Sequence, residues 1–85
     1  PVGEALSLSA VKRRDRGAWY VDLTWVNGSG AGTVDITRNG GSIADNTAND
    51  GSHTDNMGKK PAAGVYVYEL CEDGTGDCAS DSVSF

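Results

Sequence analysis

The 85-residue chain holds one histidine, one methionine, one phenylalanine, two prolines and two cysteines, and each shortage closes a route. Nucleophilic catalysis needs a nucleophile, a base and an orienting group held together, and His53 is the only imidazole on offer. Strand alternation points Ser52 and His53 to opposite faces, so Ser52, His53 and Asp55 form no triad, and His53 reads as a half-buried or surface strand histidine. No apolar run approaches the roughly 18 residues that span a bilayer, and no basic-then-apolar signal segment opens the chain. Membrane insertion is therefore not expected. Basic residues are also few, seven against twelve acidic ones, giving a formal charge of -5. That sign repels nucleic acid and anionic membranes at long range. The chain opens Pro1-Val2-Gly3 without methionine, which reads as a fragment of a longer or processed precursor.

What is present is β-forming. A single domain, residues 1-85, buries only about two thirds of the surface its unfolded chain exposes, so its core is thin. Six large rings, Trp19, Tyr20, Trp25, Tyr66, Tyr68 and Phe85, can each bury roughly 150 to 250 Å². Strand signals recur about every ten residues between Gly, Asn and Asp clusters, and no stretch offers a helix. Leu6, Leu8 and Ala10 alternate with Ser7, Ser9 and Val11 before a charged turn over Lys12 to Gly17. Trp19, Val21, Leu23 and Trp25 alternate with Tyr20, Asp22 and Thr24, the clearest period of two in the chain. A Gly-rich loop over Val26 to Thr33 leads into a strand with Val34 and Ile36 inward. Asn39-Gly40 tolerates positive φ at both central turn positions and predicts a tight hairpin into Ser42-Ile43-Ala44. The polar run Asp45 to Asn56 holds a short strand around Gly51 to Asp55. Tyr66, Tyr68 and Leu70 then share one strand face, and Cys78 to Phe85 forms a seventh strand.

The two cysteines flank the polar turn Glu72 to Asp77, where opposed Cβ atoms on neighbouring strands sit about 4.5 to 5.5 Å apart. A Cys71–Cys78 disulfide is then easy to close. The alternative is zinc, but these two sulfurs and distant His53 do not supply four ligands. A disulfide implies an oxidising compartment.

Several ordered pieces now coincide: Val21-Asp22-Leu23-Thr24-Trp25, then Val34-Asp35 followed by Arg38-Asn39-Gly40, then Gly64, Tyr66, Tyr68, Leu70, Cys71 and Glu72 ahead of Cys78. Together they resemble the fibronectin type III-like domains appended to secreted bacterial hydrolases, particularly subtilisin-like serine peptidases. His53 and Thr37 depart from that pattern, each standing where it has an aromatic ring, and the turn Lys12 to Arg16 is more basic. The resemblance implies an all-β, seven-stranded antiparallel two-sheet sandwich of fibronectin type III or immunoglobulin-like character. Trp25 should pack between the sheets against Tyr66 or Tyr68 and Leu70, with Tyr66 in a tyrosine-corner role, its hydroxyl bonded to upstream backbone. It implies a monomeric, secreted, extracellular or periplasmic bacterial domain without cofactor. Its role would be a non-catalytic accessory one, spacing, stabilising or docking a parent catalytic domain on a polymeric protein or polysaccharide substrate. Other readings are a carbohydrate- or protein-binding module, with a site near Tyr20 or the loops Gly28 to Gly32 and Lys59 to Gly64, and an adhesion or surface-protein repeat.

The remaining motifs have bland readings. Asp45, Asn46, Asn49, Asp50 and Asp55 gather oxygens of the kind calcium prefers. Yet Asp50 stands where an EF-hand loop requires Gly, and no Glu closes the loop, so tight calcium binding is not expected. Glu72, Asp73 and Asp77 read as solvated turn acids. Lys12-Arg13-Arg14-Asp15-Arg16 carries four cations, but Asp15 interrupts it, and it reads as a solvated hairpin turn. Asn27-Gly28-Ser29 fits the glycosylation pattern and marks a turn. Of the rings able to stack on a sugar, Tyr20 is expected to be the exposed one, with Trp19 its companion near the strand end.

Overall fold

The computed structural model describes residues 6–26, 32–74 and 76–85; Asn27-Gly28-Ser29 and most of the Gly-rich loop lie outside the described residues. Seven strands, β1 (Ser7–Asp15), β2 (Ala18–Val26), β3 (Thr33–Arg38), β4 (Gly41–Ala48), β5 (Ser52–Gly58), β6 (Val65–Glu72) and β7 (Cys78–Ser84), form two sheets. One is ordered β1-β2-β5 and the other β4-β3-β6-β7, and every pairing is antiparallel. This is the seven-stranded, two-sheet antiparallel sandwich that the resemblance implies. The fourth strand joins β3, whereas in a constant immunoglobulin domain it stays with the sheet of the first, second and fifth strands.

Alternation decides which side chains meet between the sheets. From one sheet come Leu8, Ala10, Val21, Leu23 and Trp25, and from the other Val34, Ile36, Tyr68, Leu70 and Val83, all buried. Tyr66 and Phe85 are half-buried against that cluster. Each fully buried large apolar side chain is worth about 1.5 to 3 kcal/mol relative to exposure, so this short stretch of inner face carries most of the driving force. The Tyr66 hydroxyl donates to the Ala62 carbonyl at 2.6 Å, fixing the approach of the chain to β6.

Asn39 and Gly40 both hold positive φ, 51° and 84°, and close the β3–β4 hairpin. Arg16 and Gly17 do the same between β1 and β2, at 53° and 81°. The turn is therefore two residues, and Lys12 to Asp15 belong to β1. That corrects the charged turn expected over Lys12 to Gly17. Register explains the difference: Lys12, Arg13 and Arg14 stand opposite Val21, Tyr20 and Trp19, and find partners there that a turn would not provide. β4 also runs further than Ser42-Ile43-Ala44, reaching Ala48 through a register shift. Asn46 adopts φ 52° there and donates its N–H to Asp35 Oδ1 at 2.9 Å. A bulged edge strand need not alternate apolar and polar residues, so its sequence reads as loop.

Candidate functional site

Two polar networks bracket the apolar middle of the sandwich. At the Trp25 end, the indole N–H donates to Asn49 Oδ1 at 2.7 Å, and Asn49 Nδ2 donates to Glu72 Oε2 at 2.8 Å. Glu72 is 2% exposed. It is the last residue of β6 on the inward face, not the solvated turn acid expected from its place beside Asp73. Asn49 likewise serves the indole and this carboxylate rather than a cation. Toward the other end, Arg38 on β3 and Asp55 on β5 form an ion pair across the sheets at 2.5 Å. The Tyr68 hydroxyl donates to the same Asp55 oxygen at 2.7 Å. Burial, reinforced by that carboxylate, pushes the Tyr68 phenol far above its ordinary pKa of 10.0.

These roles disperse the calcium candidates. Asp55 is committed inside the sandwich, Asp50 Oδ1 accepts from Ser52 N–H at 3.2 Å, and Asp45 Oδ1 accepts from the Ser42 hydroxyl at 2.9 Å. Among the described residues, the one group of metal-ligating atoms that lie close together is Glu69, Cys71 and Cys78. Both of its sulfurs are spent on a disulfide.

The disulfide joins directly opposed residues, Cys71 and Cys78, with Cα atoms 4.0 Å apart. Glu72 N–H donates to Asp77 O at 2.8 Å beside it, so the bridge occupies the closely spaced, non-hydrogen-bonded kind of pair. It fixes the β6–β7 register. Because Tyr68, Leu70 and Glu72 face inward, Cys71 faces out, and the bridge lies on the solvent side of the sheet instead of closing the end of the core.

The surface feature with most chemistry is the β1–β2 hairpin end. Trp19 and Phe85 meet edge to face with centroids 5.5 Å apart, and Phe85 meets Tyr66 in the same way at 5.5 Å. Lys12 Nζ lies 5.8 Å from the Trp19 centroid and 5.3 Å from that of Phe85, and donates to the Ser84 carbonyl at 2.6 Å. The Arg14 guanidinium stands 5.7 Å from Trp19. Two exposed cations are thus held over a half-buried aromatic cluster drawn from both sheets. Trp19, one of the rings singled out in the sequence, is part of it.

Tyr20 is not the exposed ring expected. It is half-buried on the opposite face of β2, with the Arg13 guanidinium 4.9 Å from its centroid. Arg13 is held there by Asp22, at 2.8 and 3.3 Å. That contact, with its desolvation partly opposing, keeps the Asp22 carboxyl below the usual carboxylate range. His53 is half-buried on β5 opposite Leu23. Sequence reasoning missed Lys12, Arg14 and Phe85 as members of one site. The usable signal was the spacing of Lys12 and Arg14, which continues the parity of Leu8 and Ala10. No protein-family model, curated protein or solved structure matches this chain.

Proposed function

We propose that this domain is a non-catalytic accessory module of a secreted bacterial hydrolase, a serine peptidase in keeping with the resemblance of Val21–Trp25, Val34–Gly40 and Gly64–Cys71. Its task is to space the parent catalytic domain and dock it on a polymeric substrate. The observation that carries this reading is the hairpin end, where Trp19, Phe85 and Tyr66 hold Lys12 and Arg14 toward solvent. Aromatic rings and arginine, here Trp19, Phe85 and Arg14, are residue types that interfaces favour. Leu8 stands opposite Trp25 at one end of β2, and Phe85 meets Trp19 edge to face at the other, so a partner held at the hairpin end lies away from the Leu6 end. The disulfide suits an oxidising compartment.

The test compares the parent enzyme with and without this domain on an insoluble protein or polysaccharide and on a small soluble substrate. Deletion should lower turnover of the insoluble substrate several-fold and leave the soluble one unchanged. Equal rates on both, or hydrolysis by the isolated domain, would defeat the reading.

A further inference from the structure

We propose that the basic hairpin end of one copy docks on the acidic opposite end of a second copy of this chain, so that the domains stack head to tail. The inference goes beyond the docking role above and does not rest on it, although a substrate at the hairpin end and a second copy would compete for the same cations.

The register sorts charge along the strands. A nine-residue strand such as β1 or β2 spans about 27 Å, more than the two shorter dimensions of the molecule, 22 and 20 Å. The strands therefore lie along the longest dimension, and the turns between them form its two ends. At the hairpin end, Arg14 stands opposite Trp19 and Trp19 opposite Gly58, which brings exposed Lys59 and Lys60 beside the β1–β2 turn. Lys12 to Arg16 holds four cations and one acid, and Lys59 and Lys60 raise the total at this end to +5. The seventh basic residue, Arg38, is spent on Asp55.

The other end has the opposite sign. Asn49 Nδ2 donates to Glu72 Oε2, and Asp73 N–H donates to the Thr33 carbonyl. These bonds bring the β4–β5 turn, which holds Asp50, to the same end as the β6–β7 turn, which holds Asp73 and Asp77. All three acids are exposed, and residues 24–37, 42–52 and 69–80 contain no Lys or Arg to offset them.

A net charge of -5 makes two copies repel at a distance and side by side. Laid end to end, they bring opposite signs together. At physiological salt the Debye length of about 8 Å leaves the decision to charges at the contact. The ion pairs among the described residues involve Arg13 and Arg38, so carboxylates within the chain leave Lys12, Arg14, Lys59 and Lys60 to a partner. The contact joins two different surfaces, so a third copy can add as the second did. An end of 22 by 20 Å gives each partner roughly 400 Å², about half of a standard interface. Association is therefore weak and salt-sensitive, and the chain stays monomeric at micromolar concentration.

The experiment is a concentration series of the ¹⁵N-labelled chain up to about 1 mM, followed by sedimentation velocity and amide NMR, in about 0.01 M and about 1 M salt, where the Debye lengths are about 30 and 3 Å. In low salt the average mass should rise above the 8.8 kDa of one chain. Amide shifts should move at both ends, around Arg14 and Lys59 and around Asp73 and Asp77, and not on the strands between. High salt should abolish both changes. No rise in mass, a rise that persists in high salt, or shifts at one end only, the mark of a two-fold dimer, would each overturn the proposal. Arg14→Gln/Lys59→Gln/Lys60→Gln and Asp50→Asn/Asp73→Asn/Asp77→Asn should each associate about tenfold more weakly alone. Mixed in equal amounts, each supplies the end the other lacks, and dimers should form with wild-type affinity. Undiminished association of either variant, or a mixture of the two folded variants that associates no better than each alone, would also overturn it. The wild-type series reads the same contact without depending on any variant's folding. A monomeric chain whose deletion still lowers turnover of insoluble substrate overturns the stacking and leaves the docking role standing.

Discussion

Removing the Asp55 carboxylate tests how the two sheets are tied together. In Asp55→Ala, the Tyr68 hydroxyl loses its 2.7 Å acceptor, and the acceptor left to its proton among the described contacts is the Met57 sulfur at 3.4 Å, a weak one. An unsatisfied buried hydroxyl costs about 1 to 3 kcal/mol. Arg38 loses its counter-ion, but its side chain is 32% exposed. Water therefore softens the roughly 3 to 5 kcal/mol that breaking a fully buried pair costs. Together these place the loss near 3 kcal/mol. A chain of this length has a total of roughly 4 to 13 kcal/mol at ordinary stability per residue.

The same reasoning makes a second, opposite demand. Desolvation of Arg38 and Asp55 offsets much of their attraction, so replacing the whole cluster by apolar groups should lose far less than breaking it. The triple variant Arg38→Met/Asp55→Leu/Tyr68→Phe is expected within about 1.5 kcal/mol of wild type. Urea unfolding at pH 7, followed by tryptophan fluorescence, measures both variants. A loss below about 0.5 kcal/mol for Asp55→Ala would refute the reasoning, as would a triple variant no more stable than the single one.

Reducing the Cys71–Cys78 bridge, or replacing both residues by serine, should cost about 2.5 kcal/mol from loop-closure entropy. The tryptophan bands of the near-UV circular dichroism, at wavelengths beyond the disulfide's own absorption, should stay unchanged, because the bridge lies outside the core. Asn49→Ala leaves the Trp25 indole N–H without its acceptor and removes a donor to buried Glu72, and should lower stability by about 2 kcal/mol in urea titration. Tyr68 has a folded-state pKa raised above its unfolded value, so its contribution is fully present below pH 10 and falls as pH rises toward the folded value. Between pH 10 and 11 the urea-derived stability of wild type should approach a decline of about 1.4 kcal/mol per pH unit more than that of Tyr68→Phe.

Strand identity was legible wherever one face is apolar. Val21, Leu23 and Trp25 on β2 and Tyr68 and Leu70 on β6 alternate against polar neighbours, and the structure buries all five. The Asn39-Gly40 turn was legible because few dipeptides accept positive φ twice. What escaped were positions where polar residues take inward places. Glu72 read as a solvated turn acid and Asp55 as one oxygen of a calcium-like cluster because period-two patterning scores side chains one at a time, whereas their burial depends on Asn49, Arg38 and Tyr68 from elsewhere in the chain. Lys12 and Arg14 escaped for the converse reason. They occupy inward-parity positions of β1 beyond Ala10 yet stay exposed, because this hairpin outruns the facing sheet at the level of Ser84.

That overrun separates binding from stability. Inward-parity positions opposite another sheet must be apolar or fully partnered, as Leu8, Ala10 and Asp55 are. At Lys12 and Arg14 the constraint lapses, and charge can be set by what the hairpin end must recognise. Replacing both by glutamine removes ring contacts worth about 0.5 to 1 kcal/mol each at exposed sites, so folding should weaken by about 1 to 2 kcal/mol. Asp55→Ala should weaken it by more, yet leave the hairpin end intact. The two variants should therefore cross over: in buffer without denaturant, Asp55→Ala keeps the parent enzyme's retention on insoluble substrate within about twofold, while Lys12→Gln/Arg14→Gln lowers it several-fold though the more stable of the two. Retention that instead tracks urea midpoint across both variants would show that the hairpin end is read through global stability and carries no site of its own.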